Sequence, residues 1–171
     1  MQDLKSLIRT IPDFPEPGVL YRDITPLLRS ADGLRSATEA LVMPWRGQGI
    51  ACVAGMEARG FLFGALAAQL LDVGFVPLRK PGKLPHTVER EDYALEYGTA
   101  SLEMHRDALE PGERVLIVDD VLATGGTAAA AVALVQRCRA EVLGCAFVIE
   151  LGALRGRARL PGVTVSSVLM Y

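Results

Sequence analysis

The chain has 171 residues, of which 50% are hydrophobic and 22% charged, and its formal net charge is −2. This length suits one domain with a core of its own. Near-neutral charge argues against nucleic acid as a partner, and no apolar run is long enough to span a membrane. The three cysteines, Cys52, Cys138 and Cys145, form no C-x-x-C pair. Each lies in an apolar stretch and reads as a buried free thiol in a reduced, cytoplasmic setting.

In chain order, Leu4, Leu7, Ile8 and Ile11 have helical spacing and predict a short amphipathic helix over 2–10, rather than a signal peptide. Pro12, Pro15, Pro17 and Gly18 predict an ordered loop. A short strand is expected over 19–24. Asp32 reads as the cap of a helix that runs to Pro44 or Arg46, with Trp45 packing at its end. Residues 49–55 read as a buried strand, 58–71 as an apolar helix with Gly64 for close packing, and 74–78 as a third strand. Residues 79–104 are polar and hold Pro81, Gly82, Pro85 and Gly98. They predict a long loop with some β character, and a loop of that length in a compact domain is usually functional. A strand at 114–119, a helix at 126–139 and strands at 142–151 and 163–169 complete the series. Strands alternating with helices predict an α/β fold, a parallel sheet covered by helices on both faces.

The most informative segment runs from Val115 to Thr127. Val115 to Val118 are aliphatic, as in a strand buried on both faces. Asp119 and Asp120 stand at its end, and Ala123-Thr124-Gly125-Gly126-Thr127 turns into the next helix. Such a turn offers free N–H groups and the positive end of a helix dipole, an anion cradle suited to phosphate. Adjacent aspartates repel each other and make sense beside hydroxyl donors or a metal ion. Together these groups fit a ribose 5-phosphate. The competing readings are an ATPase acidic strand, a dinucleotide-binding turn and a plain acidic βα turn. The first needs G-x-x-x-x-G-K-[ST] and the second G-x-G-x-x-G, and both are absent.

Ligands of open parallel sheets sit beyond the carboxyl ends of the strands. The strand over 49–55 leads into Glu57-Ala58-Arg59-Gly60, a second turn able to take an anion. The next strand leads to Arg79, Lys80 and Lys83, cations that suit a pyrophosphate, with a solvated basic loop as the alternative. His86 and His105 have no partner in view and receive no role.

Several segments resemble one family in the same order along nearly the whole chain. They are Phe14-Pro-Glu-Pro-Gly-Val-Leu-Tyr-Arg-Asp-Ile-Thr25, Glu57-Ala-Arg-Gly-Phe-Leu-Phe-Gly64, the stretch from Val76 to Pro85, Leu95-Glu-Tyr-Gly98 and the Asp119 to Thr127 motif. The sequence resembles the adenine phosphoribosyltransferases of the type I phosphoribosyltransferase family, least so after Gly152. The resemblance implies a central parallel sheet with a small hood (1–30) and a lid (79–104) in a single domain of 1–171.

It also implies transfer of ribose 5-phosphate from 5-phosphoribosyl 1-pyrophosphate (PRPP) to adenine, yielding AMP and pyrophosphate in purine salvage. The implied homodimer has Arg59 near its interface. Glu96 is implied as the catalytic base. Ala123 to Thr127 would hold the phosphate, and Asp119 and Asp120 the ribose, the alternative being that one aspartate braces the loop. Glu57, Ala58, Arg59, Arg79, Lys80 and Lys83 would surround pyrophosphate, and Leu20, Tyr21, Arg22 and Val121 adenine. Tyr21 and Val121 depart from the family's frequent Phe and Leu. Tyr93 and Tyr97 would support the lid. Mg²⁺ is expected on PRPP oxygens and water with no direct protein ligand, Asp119 or Asp120 being the alternative contact. The alternatives are a 6-oxopurine phosphoribosyltransferase and a PRPP-sensing regulator of the same fold.

Overall fold

A five-stranded parallel sheet in the order β4-β3-β7-β8-β9 carries the molecule. The computed structural model describes residues 3–94 and 98–171. The strands are β3 (Cys52–Met56), β4 (Gly74–Leu78), β7 (Arg114–Leu122), β8 (Glu141–Glu150) and β9 (Val165–Met170). Alternate residues of one strand point to opposite faces. Thus Cys52, Ala54 and Met56 join Ile117 and Phe147 in one core, while Val53 joins Leu116, Val118 and Ala146 in the other. Helix α4 (Gly126–Arg137) covers the first face. Helices α2 (Ala31–Val42) and α3 (Arg59–Leu71) cover the second. Leu116, Ile117 and Phe63 are fully buried, each worth roughly 1.5–3 kcal/mol of transfer free energy.

The N-terminal segment differs from the predicted helix. A 3-10 turn covers Leu4–Leu7, opened by the Asp3 carboxylate accepting from Lys5 N, and β1 (Arg9–Pro12) follows. β1 pairs antiparallel with β2 (Leu20–Asp23), with Ile11 opposite Tyr21. The β-branched Thr10 and Ile11 suit this pairing. Asp23 binds Arg9 at 2.5 Å and accepts from the Thr25 amide and hydroxyl. Those Thr25 bonds, then Arg9, hold its carboxyl down at about 2.

Helix α1 (Thr25–Arg29) was not expected, although Pro26 in its first turn is a start signal. The cap of α2 is Ser30, not Asp32. Ser30 Oγ accepts from Gly33 N at 3.0 Å, and Asp32 lies in the first turn paired with Arg35. Trp45 ends this region as expected, buried, with Nε1 donating to Ser166 Oγ at 2.9 Å.

The stretch expected as a long loop is largely a hairpin of β5 (Val88–Ala94) and β6 (Thr99–His105). Its register runs from Val88 opposite His105 to Ala94 opposite Thr99. Leu102 and Met104 are buried in the first core, so the hairpin is tied to the body. Arg137 of α4 also bonds Arg90 O and Glu91 on its outer strand. Among the described residues, no helix is long and apolar enough to cross a membrane.

Candidate active site

The carboxyl ends of β3, β4 and β7 and the exposed side of β2 surround a cleft of about 540 Å³. Of the predicted site residues, Leu20, Tyr21, Arg22, Glu57, Ala58, Arg59, Lys80, Asp119, Asp120, Val121, Ala123 and Thr127 line it. A smaller recess of about 60 Å³ runs on from it, walled by Thr124, Gly125, Gly126 and Thr127. Asp119, Val121, Ala123 and Thr127 border both spaces.

The recess is the turn between β7 and α4. Gly125 caps the helix at φ +84°, so it brings no side chain to the first-turn N–H groups. An unsatisfied first turn of a 12-residue helix is an anion site. The turn is braced from below by the 3-10 segment Gly156–Arg159. A Cβ on Gly125 would lie 2.3 Å from Gly156 O, and one on Gly156 would lie 2.3 Å from Ala123 O. Arg157 anchors the brace through two 2.7 Å bonds to the Glu150 carboxylate, which also accepts from Ser167 at 2.6 Å. Arg157 first, then Ser167, keeps the Glu150 carboxyl below its ordinary range.

The two aspartates have different partners. Asp120 is buried and ion-paired with Arg59 Nε, whose Nη1 donates to Tyr21 Oη at 3.0 Å. Arg59 therefore ties the end of β7 to β2 across the cleft. Asp119 Oδ1 accepts from the Asp120 amide at 2.8 Å. Burial first, and Asp120 beside it second, push the Asp119 carboxyl well above the usual carboxylate range. A cation or hydroxyl donors arriving there would relieve that tension.

The predicted pyrophosphate cations are arranged differently from expectation. Glu57 is the hub: it accepts from Lys83 Nζ at 2.8 Å, Lys80 N at 3.0 Å and Arg79 Nε at 3.3 Å. Its side chain is only 8% exposed, and a carboxylate so buried must be paired. Lys83 above all, with the Lys80 amide, holds its carboxyl down at about 2 despite burial. Arg79 and Lys83 are thus engaged with Glu57 and do not line the cleft, whereas Lys80 does. The Glu57–Ala58 peptide is cis.

On the β2 side, the Tyr21 ring meets Phe14 edge-on at 5.2 Å, and Leu20 is exposed. The Arg22 guanidinium turns away to lie over the Tyr171 ring, 4.1 Å from its centroid. From β5, Tyr93 lines the cleft and its Oη accepts from Thr127 Oγ1 at 3.3 Å. Glu96 and Tyr97 lie outside the described residues. His86 and His105 pack on each other at 6.0 Å and do not line the cleft.

With the geometry in place, the likeness to known proteins is specific. Residues 22–167 match the model of the phosphoribosyl transferase domain. The adenine phosphoribosyltransferase of Methylococcus capsulatus is 62% identical over 171 residues, the whole of both chains. This chain belongs to the adenine phosphoribosyltransferase family. The solved adenine phosphoribosyltransferase of Rhodothermus marinus is 57% identical, with TM-score 0.93, over 98% of this chain and 96% of that one. The Saccharomyces cerevisiae structure holds adenine and an imino-altritol bisphosphate. It is 40% identical, with TM-score 0.92, over 97% of this chain and 96% of that one. The parallel sheet and its flanking helices form the type I phosphoribosyltransferase fold.

Within this family member, several residues at the cleft carried no sequence signal of their own. A Cβ on Gly60 would lie 2.7 Å from Asp119 Oδ1 and 2.9 Å from Val118 O, so only glycine lets α3 start against the acidic pair. Its place in Glu57-Ala-Arg-Gly was visible, but not that contact. Leu151 and Gly156 come from a region with no recognisable motif: Leu151 lines the cleft, its N–H donating to Leu122 O at 2.9 Å, and Gly156 packs under the turn between β7 and α4.

Proposed function

We propose that the chain transfers the ribose 5-phosphate of PRPP to N9 of adenine, releasing pyrophosphate and AMP in purine salvage. What carries the reading is one cleft that joins an open helix N-terminus to an aspartate pair and an aromatic wall. The Thr124–Thr127 amides bind the 5-phosphate. Asp119 and Asp120 accept from the ribose hydroxyls. Tyr21 and Val121 flank the adenine ring, and main-chain groups near Leu20 and Arg22 read its N6 donor and N1 acceptor. A 6-oxopurine presents the reverse pattern and leaves those groups unpaired.

The bond from C1′ to the pyrophosphate oxygen breaks as the bond to N9 forms, through an oxocarbenium-like state. The pyrophosphate leaves with the electron pair toward the Ala58 and Arg59 turn and Lys80. Glu96 takes the N9 proton. Tyr93 supports this placement, because β5 carries it into the cleft just before Glu96 in sequence. Covalent catalysis is not required; charge stabilisation, positioning and one proton transfer suffice.

The donor set fits Mg²⁺ carried in by its ligand. Among the described residues no group of three or more His, Cys, Asp or Glu converges on a metal position. The oxygens of Asp119 and Asp120 suit a hard cation that keeps other ligands. When bound, it would neutralise pyrophosphate and orient the ribose oxygens.

We place the hood at 1–30 and the lid at 79–104 of a single domain, supported by the separate β1–β2 and β5–β6 hairpins. We also propose a cytoplasmic homodimer with Arg59 near its interface. The exposed Leu62 and Leu70 of α3 and the free thiols support that setting.

Incubation with PRPP, Mg²⁺ and each purine in turn tests the reaction. AMP from adenine, with no product from hypoxanthine or guanine, is expected. IMP or GMP as main product would show a 6-oxopurine enzyme. PRPP binding without turnover on any base would show a regulator.

A further inference from the structure

The base wall of the cleft lies on β2, a strand in a two-stranded sheet of its own rather than in the main sheet. Something must fix its position relative to β7, since adenine selection requires Leu20 and Arg22 main-chain groups held to a fraction of an ångström. One link is Arg59, from Asp120 to Tyr21. The second is Tyr171. Its N–H donates to Glu150 O at 2.9 Å and its C=O accepts from Gly152 N at 2.8 Å, so its backbone is locked to the end of β8. Its ring receives the Arg22 guanidinium at 4.1 Å from the centroid, with Lys5 Nζ at 5.4 Å. Arg22 is further tied to Thr10 Oγ1 on β1, while its buried Nε has no partner among the described residues. The ring is therefore a main support of a partly desolvated guanidinium, the situation in which cation–π attraction is strongest.

We propose that Tyr171 is a positioning residue for the base subsite. It holds Arg22, and through it the β2 backbone, at the height that adenine recognition needs. It touches neither the reacting atoms nor the phosphate recess. The inference rests on the proposed adenine transfer and adds a determinant of base affinity remote from the chemistry.

The test measures steady-state kinetics of the full-length wild type, Tyr171→Ala and Tyr171→Phe, each with adenine and PRPP varied separately. Tyr171→Phe keeps the ring face and should match the wild type. Tyr171→Ala should raise KM for adenine about tenfold, the factor a desolvated cation–π contact carries. KM for PRPP and kcat at saturating adenine should stay within about twofold of wild type, because the contact is not one formed only in the transition state. Arg22→Lys, which keeps a cation but loses the planar stack, should fall between the two. An equal loss in both KM values and kcat, in proportion to a lowered Tm, would show a merely structural residue and overturn the proposal. So would an unchanged adenine KM in Tyr171→Ala. Failure of the wild type itself to form AMP would instead overturn the reaction on which the proposal rests.

Discussion

Glu96→Gln is expected to slow AMP formation by ~10²–10⁴-fold, the usual span for loss of a general base, while KM for PRPP changes little. The reason is chemical. Adenine must lose its N9 proton as N9 bonds to C1′, and an amide cannot accept that proton. Asp119 and Asp120 do not substitute, because one is bonded to the neighbouring amide and the other to Arg59. Glu57 does not substitute either, since its oxygens are taken by Lys83, Lys80 and Arg79. Tyr93 of β5, three residues before Glu96 in sequence, lines the cleft. Single-turnover assays separate the step from product release. Full turnover in Glu96→Gln would remove this residue from the mechanism.

The second large effect is expected at the phosphate turn. Gly125→Ala forces a side chain onto a backbone at φ +84°, which costs roughly 1–2 kcal/mol. The new Cβ would also lie 2.3 Å from Gly156 O, and overpacking of this kind costs typically about 1–3 kcal/mol. Most of that is expected as displacement of the turn, because α4 beyond it packs through Ala130, Ala131, Leu134 and Val135. About 3 kcal/mol corresponds to roughly a hundredfold weaker PRPP binding. Gly156→Ala should act in the same direction, since its Cβ would meet Ala123 O at 2.3 Å. The double variant should lose less than the sum, because both changes push apart the same pair of segments, the turn and Gly156. Titration with PRPP measures all three. Unchanged affinity in Gly125→Ala would show that the turn does not bind phosphate.

The residues legible in the sequence are those whose environment is local. Val115 to Val118, the aspartate pair and the glycine turn adjoin one another, so strand, acidic end and open helix start could be read together. The buried strands were legible because aliphatic runs are placed by their own composition. The failures are non-local. Leu4 to Ile11 has helical spacing, but Ile11 is claimed by Tyr21 across the proline loop, and β pairing overrides the local period. Residues 88–94 read Val-Glu-Arg-Glu-Asp-Tyr-Ala and hide a strand whose partner supplies the buried Leu102 and Met104. Arg79 and Lys83 were visible as cations, yet their engagement by Glu57 depends on β3 and β4 ending side by side. Ser30 outcompetes Asp32 as a cap because its hydroxyl sits three residues before the Gly33 amide. The contact of Tyr171 with Arg22 joins the two ends of the chain and leaves no trace in either segment.

A crystal structure with AMP tests the central claim most directly. The nucleotide phosphate is expected against the amides of Thr124 to Thr127, the ribose hydroxyls on Asp119 and Asp120, and the base between Tyr21 and Val121. A phosphate seated elsewhere, for instance on the Arg79 to Lys83 loop with the turn before α4 vacant, would contradict it.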